Sequence, residues 1–309
     1  MLYVSTRNKV DSFTTYFALR NEAAPDGGVF MPMQLPVLSD VQLAQLEQMN
    51  FSQAIAFILN QFFGTKITGW DVDFAAGRQA VALHEIGHKV SVSENWHNPA
   101  GEFDYLVRRL YALVCDEKFP KQKPNFWFYT AVYIAVLFGN YCRFCRRDIY
   151  EFDIAVQTTD LRQLLAIRCA QKMGLPIMKT ILGSLDGDGL WEFISYGDYQ
   201  TSRKDLLACF EALLWLEFGY AESEKYISAV ANRRIYHLKE MKLDQFRKDL
   251  FTTVVGDSRV KNGIDSTMRT NNYRMEAATA RAFSALQDYR AKTGENKNTL
   301  LFAQNASGK

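Results

Sequence analysis

Residues Val90 to Leu110, called the decisive stretch below, have the sequence V-S-V-S-E-N-W-H-N-P-A-G-E-F-D-Y-L-V-R-R-L. Its first residues alternate valine with serine, which is the period of a strand. Residues 98–101, Asn-Pro-Ala-Gly, have the chemistry of a turn. Apolar residues then recur at helical spacing, at Phe103, Leu106 and Val107. The stretch therefore predicts a strand, a loop and a helix, and loops of this kind carry function in α/β proteins.

The length and composition of the chain limit the kinds of protein that it can be. The 309 residues are enough for one large or two ordinary domains with a buried core. The chain is 48% hydrophobic and 23% charged, which is typical of a globular protein. The 36 basic and 34 acidic residues leave a net charge of +2. Such a balance favours neither nucleic acid nor a membrane surface, and we expect neither as a partner.

Two further features predict a cytoplasmic protein. The start, M-L-Y-V-S-T-R, lacks the apolar core of a signal peptide, and the most apolar run, Phe126 to Phe138, is too short and too aromatic to span a bilayer. The five cysteines are an odd number without framework spacing, as expected for reduced thiols. A C-x-x-C pair at Cys142 and Cys145 has no second pair, and we interpret it as two helical thiols.

Several short motifs follow one another near the N-terminus. They are x-Y-x-S-T-R, then S-F, then A-x-D-G-G-x-F-x-P. The residues that form them are Tyr3, Ser5, Thr6, Arg7, Ser12, Phe13, Ala24, Asp26, Gly27, Gly28, Phe30 and Pro32. In this order the motifs resemble threonine synthase, a fold-type II enzyme that uses pyridoxal phosphate (PLP), although Asn8 stands where that family has a glycine. The similarity continues over Trp96–Leu110, Asp153–Tyr199 and Asn272–Lys309.

The resemblance implies an α/β fold with a mainly parallel sheet. It places an N-terminal helical domain over residues 1–80 and a remnant of the catalytic domain over residues 81–309. In the helical domain, Ser39 and Ser52 are the predicted N-caps of two helices. The charged segment from Asp116 to Asn125 stands where the family has a much larger block. We therefore expect the family's nested small domain to be reduced.

The cofactor lysine of the family is missing from its expected position. In the decisive stretch, Trp96, His97, Pro99 and Phe103 match the family segment F-H-G-P-T-x-A-F-K-D, but Asp104 replaces the Schiff-base lysine. An aspartate cannot form an imine with an aldehyde, so covalent anchoring of the cofactor is not possible there. Alternatively, Asp104 is a first-turn helix residue stabilised by the helix dipole.

Two other cofactor positions also differ from the family. The loop after the predicted strand Ile154–Val156 has lost the glycines that cradle the cofactor phosphate. It contains Thr158, Thr159 and Asp160, and the carboxylate would face the phosphate with like charge. Gln304 stands where a serine or threonine of the family would meet the pyridine nitrogen. We therefore expect no cofactor.

The segment His84 to His88 reads H-E-I-G-H. On a helix, this spacing places two imidazoles on one face to bind zinc, with the glutamate as a base. The flanking residues alternate instead as two strands, with a hairpin turn at Gly87–Lys89, and positions four apart in a strand lie too far apart to share a metal ion. We interpret the match as chance, with His84 and His88 as the metal candidates of a minor alternative, a zinc hydrolase.

These observations favour a threonine-synthase-like pseudoenzyme that acts by binding a protein partner or a small metabolite. One alternative is a PLP-dependent threonine synthase or lyase-type enzyme in which another lysine has taken over. A second alternative is an enzyme that uses the same cleft without PLP, with His97, Asp104, Tyr105 and Asp160 as acid–base groups. The sequence does not predict an oligomeric state.

Overall fold

A computed structural model describes residues 1–78, 80–117 and 120–305. Gln79, Lys118, Phe119 and residues 306–309 lie outside the described residues. Part of the predicted charged segment 116–125 and the end of the C-terminal stretch that resembles the family therefore lie outside them too.

The N-terminal part combines a small antiparallel sheet with four helices. Its strands are β1 (Leu2–Ser5), β2 (Ser12–Thr14) and β3 (Phe30–Pro32), in the order β2-β1-β3. Its helices are α1 (Thr15–Arg20), α2 (Asp40–Gln48), α3 (Phe51–Phe63) and α4 (Gly69–Ala76). Helices α2, α3 and α4 correspond to the helical domain predicted for this part of the chain.

One of the two predicted caps in this part is wrong. Ser39 caps α2 as predicted. The cap of α3 is Asn50 rather than Ser52, because asparagine is as good a cap as serine and Gln53, three residues later, completes a capping box. The Ser52 side chain instead donates a hydrogen bond of 2.5 Å to Asp73.

The central sheet has six strands, which are β4 (Ala82–Glu85), β5 (Val90–Glu94), β6 (Phe152–Gln157), β7 (Ile177–Ser184), β10 (Leu250–Val254) and β11 (Thr299–Ala303). Their order across the sheet is β10-β7-β6-β11-β5-β4. All neighbouring pairs are parallel except β4 with β5. This arrangement confirms the predicted α/β fold with a mainly parallel sheet. Two short strands, β8 (Asp198–Tyr199) and β9 (Tyr236–His237), pair separately.

Nine helices are described in the rest of the chain. They are α5 (Phe103–Cys115), α6 (Phe126–Cys145), α7 (Leu161–Lys172), α8 (Gly189–Tyr196), α9 (Lys204–Phe218), α10 (Tyr220–Ala231), α11 (Glu240–Arg247), α12 (Asp257–Asn271) and α13 (Ala277–Thr293). Helix α6 is buried over most of its surface and packs against α3 and α7, which accounts for its apolar and aromatic sequence. None of the described helices has the length and apolar character needed to cross a membrane.

The connection from α5 to α6 is short. Its described residues, 116, 117 and 120–125, form no helix or strand. The reduced nested domain that the sequence predicts at this connection stays a prediction. The carboxyl ends of the five parallel strands lie at one edge of the sheet, where α/β proteins bind their ligands.

Candidate functional site

The decisive stretch folds as predicted, into β5, a loop and α5. The loop after β5 lies at the carboxyl edge of the sheet, together with the loop after β6 and the residues after β11. This edge holds the positions that resemble the cofactor site of threonine synthase.

Asp104 lies in the first turn of α5, and its carboxylate has two partners. One carboxylate oxygen is 3.0 Å from Arg108 Nη2, one helical turn away. The other accepts a hydrogen bond from the hydroxyl of Tyr129 on α6. Burial and the adjacent carboxylate together raise the pKa of Tyr129 above its ordinary value, so the phenol stays protonated as a donor.

Asp160 is the N-cap of α7, and donors surround its carboxylate. The Arg162 backbone N–H donates at 3.1 Å, and the Arg162 guanidinium Nε donates to the same oxygen at 2.9 Å. The Tyr133 hydroxyl donates to the other oxygen at 2.9 Å. Burial would lower the pKa of Arg162, but the contact with Asp160 raises it above the ordinary value. The loop that resembles a phosphate cradle thus contains its own ion pair.

Two tyrosines one turn apart on α6 connect these altered positions. Tyr129 bonds Asp104, Tyr133 bonds Asp160, and the guanidinium of Arg162 lies 5.0 Å above the Tyr129 ring centroid. Neither the two tyrosines nor Arg162 was predicted as a site residue, because the run from Phe126 to Phe138 is mostly apolar and aromatic. The spacing of the two tyrosines, one turn apart on this mostly apolar helix, was the available signal. We call Asp104, Tyr129, Tyr133, Asp160, Arg162 and Gln304 the polar network.

Gln304 joins the polar network from the end of β11. Its side-chain amide donates to the Tyr133 hydroxyl at 2.5 Å and approaches Asp160 Oδ2 at 3.4 Å. Its backbone N–H donates to Glu276 Oε1 at 2.8 Å, and the Asn305 N–H donates to Oε2 at 3.2 Å. Burial raises the pKa of Glu276, although these donors oppose the shift. Glu276 therefore fixes the backbone that carries Gln304.

His97 and Tyr105 do not join the polar network. The Nε2 atom of His97 lies 2.6 Å from the buried carboxylate of Glu94, and its ring stacks on Trp96 at 4.3 Å between centroids. A carboxylate-bound imidazole can accept a proton, so His97 has the partner that a general base needs. Among the described residues, Tyr105 makes no side-chain hydrogen bond.

The side chains of Thr158 and Thr159 also make hydrogen bonds to other side chains of the protein. The hydroxyl of Thr158 donates to Asp188, the N-cap of α8, and that of Thr159 donates to Gln157. Beside them lies a cavity of about 250 Å³. Its polar lining includes Asp186, Asp188 and Arg203.

The H-E-I-G-H segment covers the end of the first predicted strand and part of the hairpin turn that leads to the second. His84 lies in β4, where its ring stacks on Tyr273, and His88 lies in the turn before β5. The helical geometry of a zinc H-E-x-x-H site is therefore not formed. Within residues 1–78, 80–117 and 120–305, no three histidine, cysteine, aspartate or glutamate side chains are grouped to hold a metal ion.

The residues at this edge do not fit PLP in the position that the resemblance assigns to it. Asp104 cannot form the imine, and its carboxylate already bonds Arg108 and Tyr129. The N-terminus of α7 is capped by the Asp160 carboxylate, where a cofactor phosphate would meet like charge. The neighbouring cavity has no lysine among its lining residues.

Sequence comparison links the N-terminal part to a known family. Residues 2–74 match the family described as the threonine synthase N terminus. Over 115 residues, or 34% of this chain, the sequence is 30% identical to threonine synthase-like 2 from Homo sapiens and to that from Pongo abelii. The match spans 24% of each relative, so it covers about a quarter of their length.

The fold is similar to solved threonine synthases over nearly the whole chain. The PLP-bound threonine synthase from Brucella melitensis has a TM-score of 0.83 and 16% identity, covering 99% of this chain and 89% of that chain. The yeast enzyme has a TM-score of 0.80 and 14% identity, covering 98% of this chain and 87% of that chain. Together with the N-terminal match, these structures confirm the predicted resemblance: the chain has the threonine synthase fold, and its N-terminal part is similar to the threonine synthase N terminus.

Proposed function

We propose that this chain is a catalytically inactive, threonine-synthase-like protein that holds no PLP and acts by binding a protein partner or a small metabolite. The observation that carries the proposal is Asp104. Its carboxylate replaces the lysine amine at the position matched by the decisive stretch, and its ties to Arg108 and Tyr129 hold it there. Without an amine, this position cannot link a cofactor to the protein.

The polar network supports the same proposal. Asp160 accepts hydrogen bonds from Arg162 and Tyr133, and Gln304 donates to Tyr133, so these polar groups already have partners within the chain. Hydrogen-bonded polar networks in a protein stabilise one arrangement of their side chains. The network therefore favours a structural role for these residues over an acid–base role.

For a metabolite, we propose the cavity of about 250 Å³ beside Asp188 as the binding site. It lies at the carboxyl ends of β6 and β7, where open α/β sheets bind ligands. Asp186 and Asp188 give it two carboxylates, while the guanidinium of Arg203 already pairs with Asp205 at 2.6 Å. These charges favour a small ligand that carries an ammonium group.

An absorption spectrum tests the loss of the cofactor. The purified protein is incubated with PLP, dialysed exhaustively and reduced with borohydride, and its peptides are mapped by mass spectrometry. We expect no retained aldimine absorption and only scattered, substoichiometric labelling of surface lysines. Threonine formation from phosphohomoserine is measured on the same sample and should be absent.

One result would contradict this proposal. A stoichiometric aldimine that disappears on substitution of a single lysine would show that another lysine has replaced the missing one, and a PLP-dependent enzyme would then be the better description. Asp104→Asn is the matched control, because it keeps the side-chain shape and cannot form an imine either. Its spectrum should equal that of the unaltered protein.

A further inference from the structure

The N-terminus of α7 is an anion site by its geometry. The first N–H groups of a helix have no partner within the helix, and they attract negative charge together with the helix dipole. In this chain the charge comes from Asp160 itself, whose side chain is 13% exposed and accepts the Arg162 N–H at 3.1 Å. A carboxylate of the chain thus stands where the resemblance places a phosphate.

The donors around Asp160 are those that a bound oxyanion needs. They are a guanidinium at 2.9 Å, a phenol at 2.9 Å and a side-chain amide at 3.4 Å, from Arg162, Tyr133 and Gln304. They belong to α7, α6 and the residue after β11, which are far apart in the sequence. One carboxylate therefore holds three elements together.

We infer that Asp160 is a built-in anion, which replaces a phosphate ligand at this edge of the sheet and holds α6, α7 and the end of β11 in place without a cofactor. The inference deepens the proposed function and rests on it. In a protein whose anion is a ligand, removal of that ligand leaves the same donors unpaired and buried, which is costly. A carboxylate that belongs to the chain cannot dissociate, so these donors stay paired whether or not a ligand is present.

The inference predicts that removing the carboxylate creates a phosphate site. Asp160→Ser keeps an N-cap hydroxyl, so α7 still begins correctly, but it vacates the space and removes the charge. We expect its melting temperature to fall by roughly 5 °C, as for the loss of a charged hydrogen-bond network in a chain of this length. Millimolar inorganic phosphate should restore at least half of that loss, relative to chloride at equal ionic strength, and should bind in calorimetry.

Two further variants distinguish the effect of losing the Asp160 charge from the effect of emptying the space that its side chain fills. Asp160→Asn loses the charge but fills the same volume, so its melting temperature should fall without recovery by phosphate. Asp71→Ser is the control, since Asp71 lies in the first turn of α4 and accepts the Thr68 N–H at 2.7 Å, but lies outside both the polar network and the proposed metabolite cavity. Its stability should not respond to phosphate. The unaltered protein should not respond either.

Two outcomes would overturn the inference. One is phosphate stabilisation of the unaltered protein that equals that of Asp160→Ser, since the site would then not be filled by Asp160. The other is an Asp160→Ser variant that is stable, or that is unstable and gains nothing from phosphate. Neither outcome depends on a lysine imine, so failure here is distinct from failure of the absorption test.

Discussion

Asp153 lies near the start of β6, at the sheet edge opposite the polar network. Its side chain is 1% exposed, and its Oδ1 has no hydrogen-bond partner among the described residues. Burial raises its pKa to about 6, although the charge of Lys297 opposes the shift. Because the folded-state pKa exceeds that of the unfolded chain, the folded protein binds this proton more tightly. The stability that the folded protein gains from protonation of Asp153 is present at low pH and is lost as pH rises through about 6.

Asp153→Asn should therefore stabilise the protein above that pH. The amide removes the buried charge, and we expect a gain of about 1–3 kcal/mol in the free energy of unfolding near pH 7.5 and almost none near pH 4. Urea unfolding at the two pH values measures the difference. Glu151→Gln, on an exposed side chain two residues away, is the control and should change little at either pH. Equal gains at both pH values would show that Asp153 is not protonated in the acidic folded state.

The altered cofactor positions could be found from the sequence, but their partners could not. Asp104, Asp160 and Gln304 stand at fixed offsets within motifs, so comparison with a family pattern identifies them one at a time. Tyr129 and Tyr133 lie in the first half of α6, which is mostly apolar, and tyrosine in such a helix usually belongs to the core. Which way their hydroxyls point depends on how α5 and α7 pack against α6, and that contact is not local in sequence.

Gly139 on α6 packs directly against the Phe51 ring. A Cβ atom built there would lie 2.6 Å from Phe51 Cδ2 and 2.7 Å from Cε2, at the start of α3. The Arg143 guanidinium lies over the Phe51 ring, 4.0 Å from the ring centroid. The glycine lets the two helices pack closely, although glycine weakens a helix interior.

Gly139→Ala should destabilise the protein despite the better helix propensity of alanine. The gain of almost 1 kcal/mol in propensity is outweighed by overpacking against Phe51, and we expect a net loss of about 1–2 kcal/mol. Gly263→Ala on α12 is the matched control, because the nearest atom to its Cβ is Ser284 Oγ at 3.3 Å. That variant should be neutral or slightly more stable in the same thermal unfolding assay. A stable Gly139→Ala variant would mean that the Phe51 ring moves away without cost.

Whether a segment forms a helix or a strand was largely predictable, because the hydrophobic periodicity that distinguishes the two is local in sequence. The alternation in β5, the short apolar run in β6 and the helical spacing of α5 are each visible within a dozen residues. Strand order was not predictable from these patterns. The insertion of β11 between β6 and β5 depends on contacts between residues about 150 to 200 positions apart in the sequence.

Across the whole molecule, one cluster of buried apolar side chains extends from Tyr3 in β1 to Phe302 in β11. It passes through α3 and α6, which pack extensively on each other. The predicted boundary between residues 80 and 81 therefore divides a shared core, and the two regions depend on each other for burial of apolar surface.

This shared core predicts a single unfolding transition. Ile58→Ala in α3 and Leu182→Ala in β7 both remove fully buried side chains, and each should cost about 2–5 kcal/mol. Scanning calorimetry should show one transition that both variants shift to lower temperature. Two transitions, with Ile58→Ala moving only one of them, would instead support two domains that unfold independently.

The place of β11 in the sheet also sets an order of assembly during translation. This strand lies between β5 and β6, yet the ribosome makes it after every other strand of the sheet. Until it emerges, β5 and β6 have no partner along the facing edges, and open strand edges invite pairing with other chains. A nascent chain in which β11 has not emerged therefore exposes these two edges, whereas the released chain has all the strands of the sheet free to pair.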